Sequence, residues 1–248
     1  MWQTVYNKYE GFFDCALKLQ PIVGAMFTRP IEGDLLHIVG RMAAAAANSY
    51  GALLTLALNG YGHDAMKIAR SLFEIELNIL RLKTHTEEIN DFLNFNFIQQ
   101  KLLYDTFDEG QKQQVTPEQY QRMIDDYIRV LPDFLHDKKN QIPRNEWCKE
   151  TLYKRAKEAG PEMLLLYRTF YRHASSIHHM DVGGVISTID SEMHAHMAPS
   201  WEHIEDALVA SGSVLRIIGY FDEMANLGLK ERLESGPNEE YVKALKAL

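Results

Sequence analysis

Residues 167–179 read Tyr-Arg-Thr-Phe-Tyr-Arg-His-Ala-Ser-Ser-Ile-His-His, and this stretch is informative about both the fold and a candidate site. It gathers two arginines, three histidines, three aromatic residues and two serines into thirteen positions. An α-helix turns by about 100° per residue, so positions three, four and seven apart share a face. The spacing predicts a helix carrying a polar stripe, which consists of Tyr171, Arg172, Ser175 and His179, with His178 at its edge.

A second polar line precedes this stripe in the chain. Arg70, Glu74 and Asn78 are spaced by four within the segment Ala-Arg-Ser-Leu-Phe-Glu-Ile-Glu-Leu-Asn at 69–78. The pair of Arg70 and Glu74 has two interpretations: a surface ion pair, or a buried arginine held toward an anion or a neighbouring helix. Because buried polar groups need hydrogen-bond partners, this line is the predicted partner of the polar stripe. The contact between them is either structural or part of a site.

The remaining segments also follow helical periodicity, and almost none alternates like a strand. We expect an Ala-rich helix capped by Asp34 and ending near Leu58, a turn at 59–62 and a returning helix to about Leu82. Further helices are expected over about 2–19 and 201–227. The sequence therefore predicts an all-α, multi-helix bundle forming one domain over 1–248. Residues of about 108–144 are more polar and are expected to form an insertion or a mobile connection.

The composition and the cysteine count argue against several classes of protein. The net charge of −8 argues against broad DNA binding, which needs a basic surface. Cys15 and Cys148 are too few for a disulfide framework, as expected of a cytosolic protein. The N-terminus lacks a basic start followed by an apolar run, and the longest apolar stretch is far shorter than a membrane span. A cytoplasmic protein without a membrane partner is expected.

Histidines and acids are frequent between residues 178 and 203, and this raises the question of a metal. Bundle-type metal sites use Glu-x-x-His pairs from facing helices, and metalloprotease helices use His-Glu-x-x-His. Neither pattern is present, and Glu192-x-x-x-His196 falls in an expected loop with no partner motif. We therefore predict neither a metal nor another cofactor.

The spacing of Arg172 to the two histidines resembles the motif of the HEPN superfamily, an arginine followed after four to six residues by a histidine. Those all-helical domains include many metal-independent ribonucleases of toxin and phage-defence systems, whose sites usually form across a homodimer. The resemblance implies that His179, with His178 as its alternative, is a general acid or base and that Arg172 clamps the phosphate. Its positioning groups are Tyr171, Ser175, Arg70 and Glu74, with Asn78 on the same line.

A closer resemblance is to a bacterial family known only as a domain of unknown function. Its features here are the segment Ala-Arg-Ser-Leu-Phe-Glu at 69–74 and the later pattern Tyr171-Arg172-x-x-Ser175-x-x-x-His179. It covers roughly residues 40–225 and implies a helical fold without an assigned reaction. Two hypotheses follow: a ribonuclease acting on RNA, or a non-enzymatic bundle that binds a small anionic ligand or a protein partner.

Overall fold

The chain is helical almost throughout, and the computed structural model describes residues 1–27, 31–137, 139, 142–189 and 199–228. The predicted all-α fold is confirmed, since the one sheet within these ranges is a pair of short antiparallel strands. None of the helices in the described ranges is long and apolar enough to cross a membrane.

The described residues form two compact units. The first unit contains the residues up to Thr84 and those from Leu152 onward, and the second contains His85–Thr151. The helices of the first unit are α1 (Trp2–Lys8), α2 (Glu10–Met26), α3 (Asp34–Leu58), α4 (Gly62–Thr84), α8 (Leu152–Glu158), α9 (Pro161–Leu166), α10 (Arg172–His179), α11 (Val182–Ile186), α12 (Ile204–Ala210) and α13 (Ser213–Ala225).

The second unit holds the polar stretch of about 108–144 for which the sequence predicts an insertion or a mobile connection. Its elements are a 3₁₀ turn (Thr86–Glu88), α5 (Ile89–Asp105), α6 (Glu109–Lys112), α7 (Pro117–Val130), a second 3₁₀ turn (Leu131–Phe134), β1 (Leu135–Asp137) and β2 (Ile142–Pro143). Thr116 caps α7 through a capping box with Gln119, and Pro117 occupies the first turn. Much of the stretch is therefore regular structure.

The first unit is built on the predicted hairpin of α3 and α4. Alanine and leucine favour the helix, and α3 buries Ala43, Ala46 and Leu53. The connection turns at Gly60, whose φ of +85° lies in the left-handed region that glycine adopts at little cost. A Cβ atom at Gly62 would lie 1.9 Å from the carbonyl oxygen of Glu202, so this close approach requires glycine.

Helix α4 is the central element, packing against α3, α10, α12 and α13. Its buried residues recur at helical spacing and include Ala69, Leu72, Phe73, Glu76 and Leu77. Positions 70 and 74 each follow a buried residue by one, which places them at the border of the buried stripe. The helix thereby presents polar side chains to α10 without burying them fully.

Three local predictions differ from the structure. The predicted helix over 2–19 is interrupted at Tyr9, and α2 continues through Pro21 to Met26. Tyr9 is buried and its hydroxyl donates to Glu205 Oε2 at 3.2 Å, so a tertiary contact fixes the break. The predicted last helix divides at Ser211, a buried residue whose hydroxyl donates to the Leu208 carbonyl. Asp34 is the first residue of α3 rather than its cap, because Gly33 occupies the capping position with φ +89°.

The segment 161–179 is one continuous helical rod with a change of pitch. Pro161 starts α9 after Gly160. Residues Tyr167–Tyr171 then form a π-helical turn, and α10 continues to His179. Such wide turns are rare in helices and are frequent at functional sites. The buried cluster that anchors this rod against α4 and α8 consists of Phe73, Leu77, Ala156 and Met163.

Candidate functional site

The candidate site lies in the first unit, where the π-helical turn and α10 pack against α4. Arg70 Nη2 and Glu74 Oε1 are 2.9 Å apart, and the Arg70 side chain is only 14% exposed. The interpretation of a buried arginine therefore fits Arg70 better than that of a surface pair. The Nε atom of Arg70 is buried and makes no hydrogen bond to the described residues.

Tyr171 joins this ion pair from the facing helix. Its hydroxyl donates a hydrogen bond to Glu74 Oε1 at 2.7 Å and accepts one from Arg70 Nη2 at 3.2 Å. The Arg70 guanidinium also lies 5.3 Å from the centre of the Tyr171 ring, within the range of a cation–π contact. Burial raises the pKa of Tyr171 to about 12, and the hydrogen bond to Glu74 adds to the shift. The hydroxyl is therefore a hydrogen-bond donor, not a phenolate, at neutral pH.

His178 lies seven residues after Tyr171 and shares its side of α10. Partial desolvation and then the positive charge of Arg70 lower the pKa of His178 below its ordinary value. Lys67 and His179 contribute to the same shift, whereas Glu74 opposes it. At neutral pH the imidazole of His178 is therefore uncharged and able to accept a proton.

Arg172 and His179 form the neighbouring row on α10, also seven residues apart. Both are exposed, and Arg172 makes no hydrogen bond or ion pair with the described residues. The rings of His178 and His179 have their centres 4.9 Å apart in an edge-on arrangement. The charge of His179 also acts on Asp181, whose pKa is lowered mainly by a hydrogen bond from Ser176. Helical spacing thus puts Tyr171 in line with His178, and Arg172 in line with His179.

Two of the predicted positioning residues lie apart from these contacts. Asn78 Oδ1 accepts a hydrogen bond from Arg155 Nη1 at 2.6 Å, so it joins α4 to α8. Ser175 is partly buried in α10, and its hydroxyl makes no hydrogen bond to the described residues. The residues that the structure brings together are Arg70, Glu74, Tyr171 and His178, with His179 beside His178.

Comparison with known proteins gives the family of the chain. A model of a family of unknown function, DUF5677, matches residues 36–196, about two thirds of the sequence. The chain belongs to the DUF5677 family. The predicted membership in a family of unknown function is therefore confirmed, over a range that starts slightly earlier and ends earlier than expected. No match was found among curated proteins or among solved structures.

The DUF5677 match spans α4 and α10, and with them every residue proposed for the site. It ends before α12 and α13, which pack against α4 on another side. The family contributes no reaction, so the chemistry of the site has to be argued from its residues.

Two polar clusters were not predicted from the sequence. Glu76 is fully buried and binds Arg216 of α13, with 3.0 Å between Glu76 Oε2 and Arg216 Nη2. Burial raises the pKa of Glu76, while Arg216 acts in the opposite direction. Glu76 follows Ala69, Leu72 and Phe73 at core spacing, and this signal could have predicted its burial.

The second cluster consists of three histidines on the opposite side of α10. The ring centre of His203 lies 4.7 Å from that of His63 and 4.9 Å from that of His173. His203 Nδ1 is 3.1 Å from Asp206 Oδ2, and this hydrogen bond lowers the pKa of Asp206. His63 and His173 are 110 positions apart, so no local sequence pattern reveals the cluster.

The described residues contain no group of three or more His, Cys, Asp or Glu side chains placed to hold a metal ion. The remaining acids and histidines weighed as metal ligands in the sequence lie outside the described residues; they are Asp190, Glu192, His194 and His196.

Proposed function

We propose that this chain is a metal-independent endoribonuclease of the HEPN type, with His178, His179 and Arg172 as its catalytic residues. The observation that carries the proposal is the pair of adjacent histidines at the exposed end of α10, one of which has a lowered pKa beside Arg70. An uncharged imidazole next to a second imidazole is an arrangement that can both remove and supply a proton.

In the proposed reaction His178 takes the proton of a ribose 2′-hydroxyl, and the 2′-oxygen attacks the adjacent phosphorus. The bond from phosphorus to the 5′-oxygen breaks, and His179 supplies the proton that this leaving oxygen needs. The products are a 2′,3′-cyclic phosphate and a 5′-hydroxyl. The bonds and protons of this reaction balance without a redox step or a metal ion.

Arg172 is the cation of this reaction. It is exposed, shares the α10 face of His179 and is not engaged by a carboxylate of the described residues. A guanidinium fork can bind two phosphate oxygens and stabilise the charge that develops in the transition state. Arg70, in contrast, is already held by Glu74 and Tyr171, so it positions α10 and adds to the effect of burial in lowering the pKa of His178.

The requirement for a 2′-hydroxyl makes RNA the substrate and leaves DNA uncleaved. The resemblance to HEPN ribonucleases extends the proposal to a homodimer and to a role in a toxin or phage-defence system. The net charge of −8 suits a substrate recognised at a local surface better than one bound along a broad basic face.

A second candidate is a bundle that binds a small anionic ligand without turnover. The favouring observation is that Arg70, Glu74 and Tyr171 bind one another, as a structural network would. In that case Arg172 recognises the anion and the histidines have no chemical step.

The experiment is cleavage of a panel of fluorescent RNAs by the purified chain in EDTA. We expect 2′,3′-cyclic phosphate products, and a loss of roughly 10²–10⁴-fold in rate for His178→Ala and for His179→Ala. His136→Ala, which changes an exposed histidine of the second unit, is the matched control and should leave the rate unchanged. Intact RNA across the panel, or full activity of both variants, would overturn the proposal. Thermal stabilisation by nucleotides without cleavage would support the second candidate.

A further inference from the structure

Three tyrosines form a chain of ring contacts that runs from α8 onto the helical rod carrying the histidine pair. The ring centres of Tyr153 and Tyr167 are 5.6 Å apart, and those of Tyr167 and Tyr171 are 5.3 Å apart and nearly parallel. This tyrosine stack connects α8 to the π-helical turn. It starts at Tyr153, which is 40% exposed, and ends at Tyr171 beside Arg70 and Glu74.

The stack is fixed from below. Tyr167 and Tyr171 pack on the buried cluster of Phe73, Leu77, Ala156 and Met163, and the rings of Phe73 and Tyr171 are 5.3 Å apart. Rings held in this way lose little further freedom when a planar ligand stacks on them. A core role accounts for the burial of Tyr171, but it does not account for the exposed ring of Tyr153.

Positively charged side chains lie next to each tyrosine of the stack in the sequence or in space. Arg168 and Arg172 follow Tyr167 and Tyr171 by one position, and both are exposed. Arg168 Nη2 lies 3.5 Å from the Tyr153 hydroxyl, and Lys157 is exposed one turn after Tyr153 on α8. None of these three cations forms an ion pair with the described residues.

The carboxylates closest in sequence to Lys157 and Arg168 are engaged elsewhere. Glu158 Oε2 accepts from Arg81 Nη1 at 3.1 Å, and Glu162 Oε1 lies 3.6 Å from Arg216 Nη1. The tyrosine stack therefore has three exposed cations beside it that no carboxylate of the described residues neutralises, although the chain is acidic overall. Aromatic faces alternating with cations are what single-stranded nucleic acid requires, because bases stack on the rings and phosphates meet the cations.

We infer that the tyrosine stack, with Arg168 and Arg172, is a binding surface for single-stranded RNA leading to His178 and His179. This inference rests on the proposed function and adds its substrate class. Bases stack at the exposed ring of Tyr153, next to Tyr167, and the adjacent phosphates contact Arg168 and Arg172. The two rows of the rod place the next phosphate toward the histidines, since His178 follows Tyr171, and His179 follows Arg172, by seven residues. Duplex RNA, whose bases are already stacked, does not fit this mode.

The test is fluorescence anisotropy with a 2′-O-methyl RNA 12-mer, which cannot be cleaved by attack of a 2′-oxygen, at roughly 50 mM salt. Tyr153→Leu should weaken binding about tenfold, whereas Tyr153→Phe should keep most of the affinity because the ring remains. Tyr120→Leu is the matched control, since Tyr120 is also 40% exposed but lies on α7 of the second unit. Arg168→Ala should reduce the slope of log affinity against log salt by roughly 0.7, and Arg122→Ala should not change it.

The outcomes separate this inference from the proposed function. If Tyr153→Leu binds like the unchanged protein, if Tyr120→Leu weakens binding equally, or if a duplex of the same sequence binds as tightly, the binding surface is wrong. The ribonuclease proposal would then still hold, provided that the unchanged chain cleaves RNA. If the unchanged chain binds the 12-mer through Tyr153 and Arg168 but cleaves no RNA, the binding surface stands and the ribonuclease proposal falls. An RNA affinity too weak to measure would overturn the inference.

Discussion

The Tyr171 hydroxyl donates a 2.7 Å hydrogen bond to Glu74 Oε1 and thereby ties the π-helical turn to α4. Glu74 also holds Arg70, so one carboxylate connects the tyrosine that ends the stack with an arginine that, after burial, lowers the pKa of His178. The position of α10 and part of the pKa shift of its histidine therefore depend on the same pair of contacts.

Removing this hydroxyl should destabilise the first unit. We expect Tyr171→Phe to lower the free energy of unfolding by about 1–2 kcal/mol, because Glu74 loses a partly buried hydrogen bond while the ring is kept. Urea denaturation at pH 7 measures this loss of unfolding free energy. Tyr61→Phe, at a 45% exposed tyrosine, is the control and should change stability by less than about 0.5 kcal/mol. Equal stability of both variants would show that the hydrogen bond contributes nothing.

The contribution of Tyr171 should also depend on pH in a defined direction. Its pKa is raised to about 12, so the protonated hydroxyl is favoured in the folded state. The resulting stability is complete below the ordinary tyrosine pKa of about 10 and is lost as the pH rises through about 12. The difference in unfolding free energy between the unchanged chain and Tyr171→Phe should therefore be constant from pH 7 to 9 and shrink above pH 10. A difference that grows above pH 10 would contradict this assignment.

The lowered pKa of His178 predicts how the rate of RNA cleavage depends on pH below neutrality. Cleavage should rise as His178 loses its proton, with a midpoint below the ordinary histidine value of about 6.5. Arg70→Gln removes the charge that lowers this pKa, so the midpoint should move to higher pH, and Lys67→Gln should move it in the same direction by less. Lys112→Gln is the matched control, because Lys112 and Lys67 each pair with an acid three residues earlier. Titration of the His178 ring by NMR gives the same comparison without any cleavage.

The same shift affects stability with a fixed sign. Because the folded state disfavours the charged imidazole, the unfolded chain binds a proton more readily, and stability falls as the pH drops below about 6.5. His178→Ala should lessen this decline relative to the unchanged chain. A steeper decline in the variant would mean that the charged form is favoured in the fold.

Much of the fold could be predicted from the sequence because it follows from helical periodicity. The α3–α4 hairpin agrees with its prediction, since Ala-rich and Leu-rich runs and a glycine turn act locally. The break at Tyr9 could not be predicted, because it depends on a contact with Glu205, far along the chain. For the site, the sequence predicts that the line of Arg70 and Glu74 contacts the polar stripe, and both side chains bind the Tyr171 hydroxyl.

The choice between the two adjacent histidines stays a prediction, because the structure places both at the exposed end of α10. Spacing by four puts His179 in line with Tyr171, whereas seven residues is the closer multiple of a helical turn and favours His178. The π-helical turn at Tyr167–Tyr171 could not be predicted, because no residue type in the sequence marks this change of helical pitch. Spacing alone places Asn78 on the line of Arg70 and Glu74, and it does not reveal that Asn78 binds the buried Arg155 of α8.

The buried pair of Glu76 and Arg216 makes a further prediction about stability. Arg216→Met should lower the free energy of unfolding by about 3–5 kcal/mol, because Glu76 is then buried without its partner. The double variant Glu76→Leu with Arg216→Met should recover most of this loss, since no buried charge remains. Urea unfolding of both single variants and the double variant measures the coupling. A double variant as unstable as Arg216→Met would assign the loss to packing.

The close approach of α11 to α10 gives the last prediction. A Cβ atom at Gly184 would lie 2.3 Å from the backbone oxygen of Ser176, so Gly184→Ala forces α11 away from the turn that precedes the two histidines. We expect a loss of about 1–3 kcal/mol in unfolding free energy. Gly219→Ala is the control: Gly219 lies in α13 with open space around its Cβ position, and alanine there should raise stability by about 0.5–1 kcal/mol. Opposite signs for the two glycines would show that the packing of α11 on α10, and not helix propensity, decides the cost. Two stabilising substitutions would instead mean that α11 moves freely, and that the histidine pair does not depend on its support.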